Sequence, residues 1–273
     1  MRKRDVFTGW MRSGERGEMI FSEEIARSYD GWRETPIGSY IDGREKDLIL
    51  ALTMPRDGER LLDIGCGTGE HLLLFQKKGC DVTGVEPSPF MLEMARQKLG
   101  DRADLHLGKA EDLPFSDNEF DIVTLITSLE FADDPEKAIS EAIRVSRDRV
   151  FLGVLNKCSL LGAQRRLKLF GPSVYHGARF FHVAGLTGMV RNRFRGVRIQ
   201  WGSVIFLPYG WYKFARSLEE SIPIMKNPFG AFVGLSFPVT FTYRTVQNII
   251  NKPFKLKAES RYPVRGVVKE MKK

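Results

Sequence analysis

The stretch LLDIGCGTGEH, Leu61 to His71, constrains this chain more than any other: a short apolar run passes directly into three glycines at alternate positions. An apolar run of that length reads as a buried strand, and the glycines permit a tight turn with close approach of a ligand to the backbone. A helix starting at Gly69 or Glu70 would then offer its free N–H groups to a polar ligand. A dinucleotide-binding turn follows GxGxxG, which would place the third glycine at position 70. That position is Glu70, so the spacing here is GxGxG, preceded by Asp63. Glu86 lies seventeen residues past Gly69, at the end of the next apolar run. A carboxylate there can accept hydrogen bonds from both hydroxyls of a ribose.

The segments around the turn alternate between strand and helix patterns. Strands are expected at Arg60–Ile64, Asp81–Val85, Leu105–Leu107, Phe120–Ile126 and Val150–Leu155. Helices are expected at Phe21–Trp32 with Ser22 as cap, Tyr40–Leu52, Glu70–Lys78, Pro89–Leu99 and Pro135–Val145. This order predicts an α/β, Rossmann-like, doubly wound and mostly parallel sheet. Further on, Leu160–Phe170 and Phe181–Arg193 read as helices and Trp211–Ile222 as an amphipathic helix. Val197–Leu207 and Gly230–Tyr243 read as strands that pair in an antiparallel hairpin closing the sheet. With no convincing linker, residues 1–250 are expected to form one domain. Residues 1–54 would make a helical lid, 55–156 a cofactor-binding core and 157–250 a substrate-shaping region, followed by a basic tail at 251–273.

At this point the chain resembles a known family. DIGCGTG, VEPSPFMLEMA, GKAEDLPF and FDIVTLITSLEFADDPEKAISEAIRV follow one another as in class I S-adenosylmethionine-dependent methyltransferases. The nearest group is the small-molecule type that includes the ubiquinone- and menaquinone-biosynthesis enzymes, and the match spans about Phe21 to Asn156. The resemblance implies S-adenosyl-L-methionine as cofactor and S-adenosyl-L-homocysteine as product. It implies that Gly65, Cys66 and Gly67 wrap the methionine part of the cofactor and that Asp63 orients the turn. By the same resemblance Glu86 holds the ribose, Pro87 and Met91 pack near the adenosine, and Ala110 contacts the adenine beside Glu111. Leu125 to Thr127 would floor the sulfonium, and Tyr29 would fold over it as part of the lid. Lys109 departs from the pattern, standing where many relatives carry Asp or Asn, and a lysine cannot accept a hydrogen bond from the adenine amino group. The usual Pro-Gly-Gly turn before the fifth strand is also absent, replaced by VSRDRVFL.

Three candidates for a catalytic base follow: Glu130, after the fourth strand, and His176 and His182 in the variable region. Cys66 reads as a small residue in a turn, and His71 as helix packing or surface. The three cysteines, Cys66, Cys80 and Cys158, form no metal-binding or disulfide pattern, so no metal is expected. The N-terminus has no apolar signal region, and the late apolar stretch Ala231–Val239 is too short to span a bilayer, so a soluble cytoplasmic protein is expected.

Charge is distributed unevenly. Residues 1–150 carry 21 Lys and Arg against 30 Asp and Glu, whereas residues 151–273 carry 21 against 4, within a chain of net charge +8. The basic half also holds Trp201, Tyr209, Trp211, Tyr212 and Phe214. Such a half suits an anionic or amphiphilic partner. The sequence therefore reads as a methyltransferase of a small apolar, aromatic or anionic acceptor. The alternatives are methylation of a membrane lipid or quinone, with WYKFARSLEESI lying on the bilayer, or a non-catalytic cofactor-binding or RNA-associated scaffold. Nucleic acid is the less favoured partner, because no RNA-binding module or zinc knuckle is present.

Overall fold

The computed structural model describes residues 30–161, 178–194 and 196–239. Seven strands form one sheet: β1 (Arg60–Ile64), β2 (Asp81–Glu86), β3 (Asp104–Leu107), β4 (Phe120–Ile126), β5 (Ser146–Leu155), β6 (Gln200–Val204) and β7 (Phe232–Pro238). Their order is β3-β2-β1-β4-β5-β7-β6. β1 to β5 are mutually parallel, and β7 inserts antiparallel between β5 and β6. The architecture is the doubly wound sheet with a closing C-terminal hairpin that the segment order predicts.

The helices are α1 (Pro36–Thr53), α2 (Glu70–Gln76), α3 (Pro89–Leu99), α4 (Pro135–Val145), α5 (Val183–Arg193) and the short α6 (Arg216–Ser221). Successive strand residues feed opposite faces. Leu61, Ile122 and Phe151 pack with Leu48, Ile49 and Phe75 from α1 and α2. Leu62, Val123 and Leu152 pack with Ile139 from α4 and Leu186 from α5. Because both faces are covered, the central strands are buried along most of their length rather than at alternate residues. Each buried aliphatic or phenyl side chain contributes ~1.5–3 kcal/mol. At the end of the sheet away from the glycine turn, Arg149 donates to the Thr53 carbonyl at 2.6 Å and pairs with Glu59 at 2.6 Å.

The differences from the sequence reading have local causes. α1 starts a turn earlier than Tyr40 because the Thr35 hydroxyl accepts the Gly38 N–H at 3.0 Å and Pro36 supplies the first helical residue. β5 begins directly after Val145, with a register shift against β4 between Phe120 and Ile122, and so takes up VSRD without a separate turn. The amphipathic stretch Trp211–Ile222 is broken into a 3-10 turn, Tyr209–Lys213, and α6. Tyr212 and Glu219 both reach the end of β6: the Glu219 carboxylate accepts the Ile205 and Phe206 N–H groups and the Tyr212 hydroxyl. The described part of the expected Phe21–Trp32 helix belongs to a 3-10 turn, Asp30–Glu34. The rest of that helix, most of Leu160–Phe170, and residues 240–243 of the last expected strand lie outside the described residues. No helix among the described residues is long and apolar enough to cross a membrane.

Candidate active site

The chain crosses from one half of the sheet to the other between β1 and β4, and that crossing opens a cleft beyond the strands' C-terminal ends. The glycine turn lies there. Gly65 and Cys66 donate their N–H groups to the Val85 carbonyl at 2.7 and 3.1 Å, and Gly69 closes the turn onto the Cys66 carbonyl at 2.9 Å. Gly65, Gly67 and Gly69 all have positive φ, at 74°, 54° and 81°. A side chain on Gly65 would run into Ser128, whereas one on Gly67 would meet nothing within 4 Å. The space beside Gly67 opens into a cavity walled by the turn, by Glu86, Pro87 and Met91, by Lys109, Ala110 and Glu111, and by Ile126, Thr127 and Ser128.

Glu86 is 5% exposed. Its Oε2 accepts the Gly67 N–H at 2.9 Å and its Oε1 the Ser88 N–H at 3.0 Å. Burial raises its pKa and the two N–H groups oppose that rise. Each oxygen keeps a lone pair for a further donor. Asp63 is buried behind the turn. Its Oδ1 accepts from Thr124 at 2.6 Å, while its Oδ2 is buried without a partner among the described residues. Burial pushes its carboxyl up to about 7, against the Thr124 hydrogen bond that lowers it. Cys66 is buried, and desolvation with the nearby Asp63 and Glu86 charges holds its thiol well above the usual value. A thiolate nucleophile is disfavoured there.

An orphaned carboxylate oxygen, a glycine whose missing side chain opens onto the cavity and a buried carboxylate at the end of β2 match the needs of a nucleoside joined to an amino acid. The residues thus fit S-adenosylmethionine. Lys109 reaches 3.9 Å from Asp133 at the cavity rim, and one oxygen of Glu111 accepts the Asp134 N–H at 3.1 Å. Thr127 has φ 50°, a strained value for a β-branched residue, fixed by its N–H donating to the Gly153 carbonyl at 2.8 Å.

Other expected site residues lie elsewhere. The Leu125 side chain belongs to the core on the α4 face and does not line the cavity. Glu130 is not among the lining residues either: its Oε1 accepts the Leu155 N–H at 2.6 Å, tying the segment after β4 to the end of β5. His182 is an exposed residue at the N-cap of α5, outside the cavity wall. Tyr29 and His176 lie outside the described residues.

Several wall residues were missed by sequence reasoning, among them Thr68, Glu70, Ser128 and Phe131, and two that carry basic side chains. His71, read as packing or surface, lines the cavity, and so does Arg33. Burial, with Arg33 and Lys46 nearby, pushes the His71 imidazole down to about 3, so it is neutral at physiological pH.

Arg33 belongs to an ion-pair network that fastens residues 30–46 onto the turn. Arg33 pairs with Asp30 at 2.6 Å and Asp42 at 3.0 Å, and Lys46 bridges Asp42 and Glu70 at 2.6 Å each. Lys98 joins Asp30 at 2.6 Å and Glu70 at 3.5 Å, while the Thr68 hydroxyl donates to Asp30 at 2.9 Å. Single exposed pairs contribute ~0.2–1 kcal/mol, but this network is half-buried and shared. Lys98→Met should therefore weaken S-adenosylhomocysteine binding by about three- to tenfold in 50 mM salt, and less in 500 mM salt, where screening already loosens the wild type. Calorimetry at the two salt concentrations checks this, and equal affinities of variant and wild type at low salt would refute it.

Glu130 carries a second prediction. Burial pushes its carboxyl up to about 8, from the usual carboxylate value of 4.5. The folded chain then holds a proton that the unfolded chain has released. This stability is fully present below about 4.5 and is lost as pH rises through about 8. Over that window the group costs up to ~1.4 kcal/mol per pH unit. Glu130→Gln keeps the acceptor for Leu155 and removes the titration. Urea unfolding at pH 5.5 and 7.5 should show a stability drop smaller in the variant by about 2 kcal/mol. Parallel profiles would overturn this account.

Residues 62–152 match the family model described as a methyltransferase domain. An uncharacterized protein of Methanocaldococcus jannaschii is 33% identical over 172 residues, covering 62% of this chain and 78% of the relative. A demethylmenaquinone methyltransferase of Renibacterium salmoninarum is 37% identical over 125 residues, covering 46% of this chain. The chain spans about half of that relative's length, 52%. The crystal structure of a Thermotoga maritima S-adenosylmethionine-dependent methyltransferase, described as a possible histamine N-methyltransferase, superposes with a TM-score of 0.63 at 26% identity. It covers 81% of this chain and 98% of that one.

A doubly wound sheet with this glycine turn and this closing hairpin defines a class I methyltransferase fold. The chain belongs to the S-adenosylmethionine-dependent methyltransferase family.

Proposed function

We propose that the chain transfers a methyl group from S-adenosylmethionine, held in the cavity beside Gly67, to a small amphiphilic acceptor with an aromatic or anionic nucleophile. The observation that carries this reading is Glu86, buried at the end of β2 and aimed at the glycine turn. The bound cofactor supplies an activated methyl on a sulfonium. Glu86 would hold the ribose, Asp63 would lend its free oxygen toward the amino group, and Ile126 and Thr127 would floor the cavity under the sulfur.

The acceptor's chemistry follows from what the wall offers. Effective general bases have a pKa near the working pH. His71, at about 3, is too weak a base to take a full proton, although its neutral ring can accept a hydrogen bond that orients the acceptor. Glu130 is not among the residues that line the cavity. The described wall thus favours an acceptor that is already ionised or nucleophilic, methylated by alignment rather than by base catalysis. A phenolate- or enolate-like group on an apolar body fits, and the relative named demethylmenaquinone methyltransferase makes a quinol-type acceptor the first to try.

The test is to incubate the protein with methyl-labelled S-adenosylmethionine and, separately, a lipid and quinone extract, a polar metabolite extract and total RNA. Label entering a small aromatic or amphiphilic compound supports the proposal. Label entering RNA alone refutes the acceptor class. Tight S-adenosylhomocysteine binding without transfer to any pool points to a scaffold.

A further inference from the structure

The segment Tyr209–Ser221 inverts the usual pattern of a surface helix. Its inward positions are Tyr212, Ala215 and Glu219, with Tyr212 and Glu219 fully buried and bonded to each other at 3.1 Å. Continuous turns connect these positions: the Ala215 N–H donates to the Trp211 carbonyl and the Glu219 N–H to the Ala215 carbonyl. Trp211, Phe214 and Leu218 alternate with these inward positions and lie on the outer side of the segment. That face is open: Trp211 is 59% exposed, Phe214 91% and Leu218 53%. The hydrogen bonds of Glu219 account for the buried carboxylate, and they leave three large apolar side chains turned outward with no burial of their own. Clustered exposed apolar residues of this size mark an interaction surface.

Charge selects the partner. Around this face, residues 205–229 carry Lys213, Arg216 and Lys226 against Glu219 and Glu220, and Glu219 is turned inward. An apolar face flanked in sequence by more basic than outward acidic residues complements an anionic surface into which aromatic rings can insert. A negatively charged phospholipid bilayer is such a surface, with Trp and Phe reaching the level of the headgroups and acyl ends.

The face also sits beside the site. Arg216 lies over the Tyr40 ring of α1 at 4.9 Å, and Tyr40 packs against Tyr212 at 5.4 Å. Arg216 donates to the Pro36 carbonyl at 3.4 Å, next to the turn that supplies Arg33 to the cavity. We propose that Trp211, Phe214 and Leu218 form an interfacial anchor that docks the protein on anionic lipid bilayers, against the elements that frame the cofactor cavity.

The test uses the full chain with phosphatidylcholine vesicles, with and without 30 mol% phosphatidylglycerol. In 50 mM salt the wild type should co-sediment with the anionic vesicles and not with the neutral ones, and 500 mM salt should release it. The double variant Trp211→Ser, Phe214→Ser should lose at least tenfold in partitioning while binding S-adenosylhomocysteine within twofold of wild type. That second readout shows that the variant is folded, and it separates failure here from failure of the cofactor site. Three results would overturn the proposal: no sedimentation of the wild type with anionic vesicles, sedimentation of the double variant equal to wild type, or a wild-type dimer on gel filtration that the double variant breaks.

Discussion

Glu86→Ala should raise the dissociation constant for S-adenosylhomocysteine by a hundredfold or more, about 2.7 kcal/mol. The carboxylate is the acceptor on which the cofactor's ribose hydroxyls would converge, and it is held in place by the N–H groups of Gly67 and Ser88. Truncation removes the acceptor and strands two donors, each costing ~1–3 kcal/mol if it stays buried and unpaired. The turn that cradles the ligand therefore loosens as the ribose contact disappears. Glu86→Gln should fall between the two, since its amide keeps one acceptor but presents a donor to one of those N–H groups. Calorimetry with S-adenosylhomocysteine, and with NAD as the control, reads the effect. An alanine variant that binds within threefold of wild type would remove Glu86 from the site.

The second large effect separates two glycines that look alike in sequence. Gly65 and Gly67 both have positive φ, so alanine at either costs ~1 kcal/mol or more of backbone strain. They differ in what the new methyl would meet. At Gly65 it collides with Ser128 in the packed segment after β4, so Gly65→Ala should lose about 2–4 kcal/mol of stability together with binding. At Gly67 it enters open space beside Glu86, where a ligand would lie. Gly67→Ala should thus melt within a few degrees of wild type, yet bind S-adenosylhomocysteine at least thirtyfold more weakly. Thermal melts paired with calorimetry make the comparison. If both variants lose stability equally, the space beside Gly67 is not the cofactor cradle.

Much of this site was legible in one dimension because it depends on short-range chemistry. The bounds of β1, β4, α3 and α4 coincide with the sequence reading, since an apolar run between polar turns and a Pro-initiated amphipathic helix are each decided within a dozen residues. The glycine turn and Glu86 were legible for the same reason: a residue's distance along two adjacent parallel strands translates directly into distance across them. His71 and Arg33 were not legible. Nothing local distinguishes a histidine facing a cavity from one facing solvent, and Arg33 reaches the wall through pairs with Asp30 and Asp42 that only the packed chain creates.

Glu130 marks the same boundary from the other side. Its place after β4 suggested a catalytic carboxylate, but the structure turns it to the Leu155 N–H and leaves its second oxygen buried and unpartnered among the described residues. The direction of a side chain just past a strand end depends on which neighbouring strand has a free donor, and that is set by β5 alone. The segment after β6 follows suit. Its amphipathic pattern was visible in the sequence, but the buried face proved to be the polar one. A single carboxylate, Glu219, satisfying two backbone N–H groups at the end of β6 outweighs the burial of one more phenyl ring. Local patterning thus determined the sheet, the turn and the carboxylate that meets it. The direction in which buried charges point was decided by tertiary structure, because an unpaired backbone donor at a strand end can be known only once the strands are assembled.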